Sequence, residues 1–276
     1  MTAAITETMD IGFPSLALAY ALLLIPLAIL LWHRVPIVGH ALIAILRMTV
    51  QLLFVGVYLQ FVFKLNSPWL NAAWILVMVS VADVSIVRGC RLRMARFAPA
   101  VFLALLAGTA VPLAFFLALI LRQPNLLEAQ YAIPIGGMIL GNCLRADIVG
   151  LRGFYEAIRK SEKAYLHSLA QGARLGEAVR PFVRDAIQAA LAPTVATIAT
   201  VGLVALPGMM TGVILGGANP MTAIQYQIAI MIAIFCGTSI TLAVGIWLTT
   251  RRSFTPYGTL DHSIFKNTKR GKTATR

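Results

Sequence analysis

The sequence predicts an all-α, polytopic integral membrane protein with about seven transmembrane helices. Of its 276 residues, 59% are apolar and only 12% are charged, against about 25% charged residues in soluble domains. The apolar residues form runs of about 20, the length that crosses a ~30 Å hydrocarbon core as a helix. If the chain crosses seven times starting outside, all but Lys64 and Arg122 of its 23 Lys and Arg residues face the cytoplasm. This positive-inside pattern predicts an external N-terminus and a cytoplasmic C-terminus.

The predicted spans follow the apolar runs in chain order. They lie near Phe13–Leu31, Ala41–Phe63, Trp69–Val87, Ala100–Leu121, Ala129–Leu144, Ile187–Leu215 and Ala223–Leu248. Residues 1–12 are expected to be a short extracytoplasmic N-terminus, because Glu7 and Asp10 without any Lys or Arg are the reverse of a secretory signal. Residues 13–250 form the transmembrane domain, which includes a cytoplasmic segment, 145–186. Residues 251–276 form a basic cytoplasmic tail, which we expect to be unstructured.

The net charge of +13 does not indicate a nucleic-acid-binding protein. The basic residues flank apolar spans and do not cover one face of a polar domain. Attraction to anionic lipids of the inner leaflet explains them better. The lipid bilayer is therefore the first predicted partner, and nucleic acid is excluded.

Segment 145–186 contains an amphipathic pattern. Phe154, Ile158, Tyr165 and Leu169 recur at roughly helical spacing, with charged residues on the other faces. Such a helix can lie on lipid headgroups, or its apolar stripe can dock into a groove of a soluble partner. Periodicity alone leaves both interpretations open.

Polar residues at membrane depth are costly and indicate function by default. Arg47 and Gln51 share one face of the second span, and Asp83 lies late in the third. Counted from the outer turn near Asn66, Arg47 and Asp83 reach depths within about 3 Å of each other. We therefore predict an Arg47–Asp83 ion pair, which either ties the hairpin together or lines a cytoplasmic vestibule.

The fifth span carries Gly137 and Gly141, a Gly-x-x-x-Gly face that lets a neighbouring helix approach closely. Asn142 follows and adds an amide that needs a hydrogen-bond partner in a dry environment. Glycine faces of this kind more often serve packing than function.

In the sixth span, Pro207 removes a backbone hydrogen bond and displaces the carbonyl of Leu203. Gly208 and Gly212 then begin a ridge of small residues that ends at Gly216. The pattern favours a broken or hinged helix of the kind that transporters use, although a static, tightly packed kink is the alternative.

Other side chains give weaker signals. Met209 and Met210 could supply soft ligands to a metal, but methionine is also ordinary core filler and no spacing specifies a site. Gln225 and Gln227 open the seventh span at the outer face. The sequence contains neither a His-Glu-x-x-His nor a Gly-x-Ser-x-Gly motif. Gly271-Lys272-Thr273 lacks the glycine that a phosphate-binding loop requires five residues earlier.

The run Gly202–Gln227 resembles the FetB family of ABC-transporter permeases through its Leu-Pro-Gly-Met-Met-Thr-Gly core, Gly-Gly-Ala-Asn-Pro turn and Gln-Tyr-Gln. The resemblance covers nearly the whole chain. Further matches are Arg47 with Gln51, Asp83, the stretch Pro134…Gly137-Met138…Gly141-Asn142, and Glu162…Leu169-Ala-Gln-Gly172-Ala173…Ala178. Val213 departs from the bacterial form, where a glutamine is expected, and this leaves the selectivity open.

The resemblance implies a multi-pass permease subunit in a bacterial inner membrane, paired with a separate ABC ATPase that binds the ATP. It implies no cofactor in this chain and transport of a small solute or metal ion, with iron export favoured. A homodimer would present two docking surfaces to two ATPases. The resemblance places the pathway and hinge at Arg47, Gln51, Asp83, Gly137, Gly141, Asn142, Pro207, Gly208, Met209, Met210, Thr211, Gly212, Gln225 and Gln227. It places ATPase docking at Glu162, Leu169, Gly172 and Ala173.

Two other functions remain to be weighed. An ATP-independent secondary transporter or channel would suit the interrupted helix and the buried charges equally well. An intramembrane enzyme would need a catalytic cluster that the sequence does not contain.

Overall fold

The computed structural model describes residues 12–255 and 257–265, which are helical throughout apart from turns and isolated bridges. The predicted external N-terminus, except Gly12, and the tail beyond Phe265 lie outside these residues. The helices are α1 (Phe13–Ala21), α2 (Leu24–Trp32), α3 (Val38–Leu65), α4 (Pro68–Gly89), α5 (Met94–Phe115), α6 (Ala129–Lys160), α7 (Glu162–Ala170), α8 (Leu175–Thr200), α9 (Gly208–Leu215) and α10 (Pro220–Ser253). A π-helical turn, Phe116–Ile120, extends α5.

Six stretches of the described chain are long and apolar enough to cross a membrane. They are Pro14–Trp32, Val38–Leu65, Pro68–Gly89, Met94–Ile120, Ala129–Lys160 and Pro220–Ser253. The predicted class, a helical membrane protein, is thereby confirmed. The predicted sixth span, Ile187–Leu215, is not one helix, because α8 ends at Thr200 and α9 begins only at Gly208. The count of seven spans and the orientation stay predictions.

The core of the bundle consists of α4, α5, α6 and α10, with α8 packed against α6 and α10. Large side chains such as Phe97, Leu105 and Phe154 are fully buried there. By contrast, α1–α3 stand at the edge, and Val62 is the one buried side chain described in them. Its neighbour Tyr58 stacks on Trp74 of α4, with ring centroids 3.9 Å apart. The C-terminal end of α3 is therefore attached to the bundle.

Two glycines bring α5 and α10 into backbone contact. A Cβ atom on Gly237 would lie 2.5 Å from the carbonyl oxygen of Gly108 and 2.8 Å from Cγ2 of Ile139. No larger residue fits this crossing without moving a helix. The predicted glycine face in α6 is packed less tightly. A Cβ on Gly137 would lie 3.1 Å from Cε of Met78, at the end of a flexible side chain, and a Cβ on Gly141 would meet nothing within 4 Å.

The predicted cytoplasmic segment, 145–186, begins within a helix. The helix that contains the predicted fifth span does not end near Leu144 but continues as α6 to Lys160. Its apolar and small residues recur every three or four positions through Cys143, Gly150 and Phe154, all of which are buried. This continuous inner face keeps the helix in the bundle beyond the first charged residues.

The beginning of the C-terminal tail is folded, which corrects the expectation of an unstructured tail for residues 254–265. Leu92 forms an isolated bridge with Phe265, and Leu260 and Ile264 are buried. The physical reason is composition, because 254–265 contains no Lys or Arg and carries several large apolar side chains. We call this segment the C-terminal strap.

A surface ion pair fastens the strap to α5. Nη1 of Arg96 lies 2.6 Å from Oδ2 of Asp261, and the backbone N–H of Ser263 donates to Oδ1 of Asp261 at 2.9 Å. Hydrogen bonds hold the pKa of the Asp261 carboxyl well below its usual range, and the bond from Ser263 contributes more than the bond from Arg96.

Candidate functional site

Among the residues that the structure describes, five polar side chains are buried in the bundle with an oxygen atom that has no hydrogen-bond partner. They are Asn71, Asp83, Thr109, Asp147 and Gln227. Burial of such groups costs free energy unless they are paired or used. Inside a membrane protein they are therefore the first places to look for a functional site.

The predicted Arg47–Asp83 ion pair is wrong. Arg47 is exposed on α3, whereas Asp83 is buried on α4. The two ion pairs found within the described residues, Arg96–Asp261 and Arg152–Glu156, involve neither of them.

Helix rotation explains why the pairing fails. Trp74 marks the face of α4 that meets α3, through its stack on Tyr58. Asp83 lies nine residues further along, which is a rotation of about 180° at 3.6 residues per turn. Asp83 therefore points away from α3. Counting residues predicted the depth of this side chain but not its direction.

A small cavity lies between α6, α8 and α10, and we call it the polar cavity for the four polar residues among the ten that line it. Its volume is about 210 Å³, and its polar lining consists of Asn142, Arg145, Thr194 and Thr197, with Met231 and Ile234 among its apolar residues. Nδ2 of Asn142 donates to the carbonyl oxygen of Met138 at 2.8 Å. At about 1.5 Å per residue, Asn142 and Arg145 lie about 20 and 24 Å from the start of α6. The cavity thus lies towards the end of the bundle that we predict to face the cytoplasm, and its Arg145 and Thr197 side chains are exposed at the surface.

Asp83 lies at the same height as this cavity. Gly137 of α6 adjoins Met78 of α4, and Ile148 of α6 adjoins Gly89 of α4. The residue numbers in both pairs differ by 59 (137 less 78, and 148 less 89), so α4 and α6 run side by side in a constant register. The same register places Asp83 level with Asn142. Asp83 is not among the cavity's lining residues.

The break in the sixth span is a folded turn and not a kink. Residues 201–207 separate α8 from α9, with a bridge between Val201 and Ala205 and Gly202 at φ +87°. Pro207 caps the start of α9, where its missing N–H costs little. The predicted broken helix is therefore present, but the mechanism by which Pro207 would displace the Leu203 carbonyl is wrong, because Leu203 is not in a helix.

The residues after the break show little packing on this chain. A Cβ added to Gly208 or Gly212 would meet nothing within 4 Å. Met210 is buried and Met209 is half-buried. The Thr211 hydroxyl donates to the carbonyl oxygen of Pro207 at 3.2 Å. The small-residue ridge is thus an open face of the protomer.

The two glutamines of α10 are separated by the structure. Gln227 is buried with an unpartnered Oε1, whereas Gln225 is exposed at the rim of an almost wholly apolar cavity between α5 and α10. In the described part of the chain, no group of three His, Cys, Asp or Glu residues is placed to hold a metal ion.

Asp147 is the residue that sequence reasoning missed. It lies on α6 and is 2% exposed, beside the Thr241 hydroxyl of α10. It falls in the stretch of charges that we assigned to the cytoplasm. The repeat of small and apolar residues through Cys143 and Gly150 could have revealed that the helix face continues inward past it.

The amphipathic stripe of segment 145–186 packs against its own chain. Phe154, Ile158 and Tyr165 are each at most 1% exposed, so they neither lie on headgroups nor dock into a partner. The Tyr165 hydroxyl donates to the carbonyl oxygen of Gly258 in the C-terminal strap. Burial raises the pKa of Tyr165 to about 12, so the hydroxyl keeps the proton that it donates.

What this segment exposes is the turn between α7 and α8. Gly172 is exposed at φ +93°, and Leu169 and Ala173 are partly buried beside it. Glu162, also partly buried, begins α7. The predicted docking residues therefore lie on one short element, α7 and its following turn, and their role stays a prediction.

Comparison with known proteins gives a consistent result. The family described as "Uncharacterised protein family (UPF0014)" matches residues 13–254. A Synechocystis protein named "UPF0014 membrane protein slr1647" is 35% identical over 219 residues, which is 79% of this chain and 85% of the relative. The Arabidopsis thaliana "Protein ALUMINUM SENSITIVE 3" is 35% identical over 77% of each chain. The Escherichia coli "Probable iron export permease protein FetB" is 32% identical over 86% of this chain and 91% of the relative. No solved structure matches.

Proposed function

The chain belongs to the UPF0014 family of membrane proteins, and we propose that it is the membrane subunit of an ABC transporter. The resemblance drawn from the sequence motifs is confirmed by these relatives. In the proposal, a separate ATPase binds ATP and docks on the turn around Gly172, and the subunit exports a metal ion, iron first of all, from a bacterial cell. The name of the Escherichia coli relative supports the choice of substrate and direction.

One structural observation carries the proposal. α8 is a single helix that joins the exposed turn at Gly172 to the break that begins at Val201. Between these ends, its residues Thr194 and Thr197 line the polar cavity. A force applied to the turn can thus reach both the cavity and the break through one continuous helix, which is what an ATP-driven permease requires.

A second copy of the chain is part of the proposal. Arg47 and Gln51 lie about 14 and 20 Å from the start of α3, and both are exposed. An Arg at the centre of a membrane helix costs about 2.5–3.5 kcal/mol in insertion measurements. A two-fold partner that covers this face of α3 would relieve the cost and would supply two docking surfaces.

An ATP-independent secondary transporter or channel is the alternative. The interruption between α8 and α9 favours it as well, because discontinuous helices are typical of such proteins. Association with an ATPase separates the two functions.

The test is co-purification of the full chain with a candidate ABC ATPase, with ATP hydrolysis measured after reconstitution. Gly172→Asp places a charge on the proposed docking turn, and Gly217→Asp is the matched control. Both glycines are exposed, have a similar positive φ (+93° and +88°), and have open space around them. Asp tolerates this conformation better than most residues.

We expect Gly172→Asp to weaken ATPase association about tenfold, equivalent to about 1.4 kcal/mol, and Gly217→Asp to leave it unchanged. Equal effects of the two substitutions would contradict docking at this turn. A chain that transports without any ATPase would establish the alternative.

A further inference from the structure

The polar cavity between α6, α8 and α10 presents hydrogen-bond donors. Arg145 contributes a guanidinium group and makes no ion pair with any described residue. The Asn142 amide uses one N–H on Met138 and has a second to offer. The Thr194 hydroxyl makes no hydrogen bond with the residues that the structure describes, whereas that of Thr197 donates to the carbonyl oxygen of Pro193 at 2.9 Å.

No acidic residue lines this cavity. The nearest carboxyl group in the sequence, that of Asp147, is buried beside Thr241 of α10. Asp83, at the same height, is buried on α4 and is likewise absent from the lining. The cavity therefore has one cation, neutral donors and no anion to balance them.

We propose that this cavity binds the oxyanion group, a phosphate or carboxylate, of a small soluble solute. The inference rests on the proposed transport function and narrows its substrate class. A guanidinium group with amide and hydroxyl donors is the usual recognition set for such oxyanions. A bare divalent cation would meet repulsion from Arg145 and would find no carboxylate or thiolate ligand. A metal ion that used this site would have to arrive bound to an anionic chelator.

The position of the cavity suits a substrate site. Its α6 wall carries Asn142 and Arg145, and its α8 wall carries Thr194 and Thr197, a few residues before the break at Val201. A volume of about 210 Å³ accommodates a phosphate or a carboxylate-bearing group but not a large solute as a whole. The site would thus hold the charged end of the substrate while the rest extends outwards.

The test measures ligand-induced thermal stabilisation of the full chain in nanodiscs made of phosphatidylcholine alone. The probes are inorganic phosphate, citrate and ferrous chloride, each compared with sodium chloride at equal ionic strength. The variants are Arg145→Gln, Arg145→Lys and Thr194→Val. Arg152→Gln is the control, since Arg152 lies on the same helix but pairs at the surface with Glu156 at 2.8 Å.

We expect phosphate or citrate to raise the unfolding midpoint of the wild type, and the apparent dissociation constant to rise at least about tenfold in Arg145→Gln. Arg145→Lys should retain part of the binding because it keeps the charge without the planar fork. Thr194→Val, which keeps the shape of the side chain, should weaken binding about threefold, and it serves as the test if Arg145→Gln does not fold. Arg152→Gln should bind like the wild type.

Several results would overturn the proposal. These are the absence of stabilisation by either anion, equal binding by the wild type and Arg145→Gln, or stabilisation by ferrous ion without an anion. A parallel arm adds phosphatidylglycerol to the nanodiscs. If that lipid alone reproduces the Arg145-dependent stabilisation and the soluble anions add nothing, the occupant is a lipid headgroup and the proposal fails. Because no ATPase is present, these outcomes are independent of the docking test above.

Discussion

Replacing Gly237 with alanine tests whether α5 and α10 form the rigid part of the molecule. Its added Cβ would lie 2.5 Å from the carbonyl oxygen of Gly108 and 2.8 Å from Cγ2 of Ile139. An ordinary van der Waals contact begins at 3.4 Å, so the two backbones would have to separate by about 0.9 Å (3.4 less 2.5 Å). A backbone carbonyl cannot rotate out of the way as a flexible side chain can.

The expected cost follows from two opposing effects. Overpacking of a well-packed interior costs about 1–3 kcal/mol, and the upper end applies here because backbone and side-chain atoms both clash. Replacement of glycine by alanine within a helix returns about 0.5–1 kcal/mol. The net destabilisation should therefore be about 2 kcal/mol.

Gly153→Ala in α6 is the matched control, because a Cβ there would meet nothing within 4 Å. Gly153→Ala should gain the helix stabilisation of alanine without any clash. The free energies of unfolding of the two variants should therefore differ by about 3 kcal/mol. The assay is equilibrium unfolding of the purified chain in mixed micelles. Values within about 0.5 kcal/mol of each other would refute a backbone contact at Gly237, since that is the range of substitutions that touch nothing.

Two further predictions concern the strap and the break. Since Asp261 has a lowered folded-state pKa, its contribution to stability is present above its unfolded pKa and is lost as the pH falls below about 4. Asp261→Asn should therefore abolish the acid-induced rise in hydrogen exchange of residues 254–265, and an unchanged pH profile would contradict the assignment. Leu203 is 91% exposed in the break, so Leu203→Cys in a Cys236→Ser background should react with a membrane-impermeant thiol reagent if the break lines water. Failure to react would place the break in lipid.

Hydropathy along the sequence predicted the helical runs because the thickness of the hydrocarbon core sets the length of each apolar span. It also located the interruption in the sixth span, since Pro207 and its neighbouring glycines disfavour a continuous helix. The position of the break within 201–207 was not predictable, because Gly202 and the Val201–Ala205 bridge form it through a local turn.

The Arg47–Asp83 pairing shows what counting residues cannot provide. Sequence position along a helical hairpin gives the depth of each side chain, but a contact also requires the two helix faces to meet. The Tyr58–Trp74 stack fixes the face of α4 towards α3, and that contact depends on tertiary packing. Once it is known, the rotation to Asp83 follows from helix geometry alone.

Two predictions that were based on charge placed residues in solvent that are in fact packed on the bundle. Asp147 and the C-terminal strap were both assigned to solvated cytoplasmic segments because Arg and Lys lie near them in sequence. In each case the local apolar pattern was the better guide. It extends α6 past Asp147, and it folds Leu260 and Ile264 onto the bundle. Net charge describes a segment, whereas burial is decided residue by residue.

The layout of the bundle imposes a coupling on the proposed site. Asn142 and Arg145 stand on α6, which packs in the core, whereas Thr194 stands on α8, which continues to the exposed turn. A ligand held between the two walls must bind with different affinity whenever α8 shifts relative to α6, because its contacts are divided between them. If the proposed ATPase shifts α8 relative to α6 when it docks, linkage requires that occupancy of the cavity change the affinity of the turn for the ATPase by the same factor. A partner that binds only the turn would thus sense the ligand without touching it, and substrate-stimulated ATP hydrolysis would need no contact between substrate and ATPase.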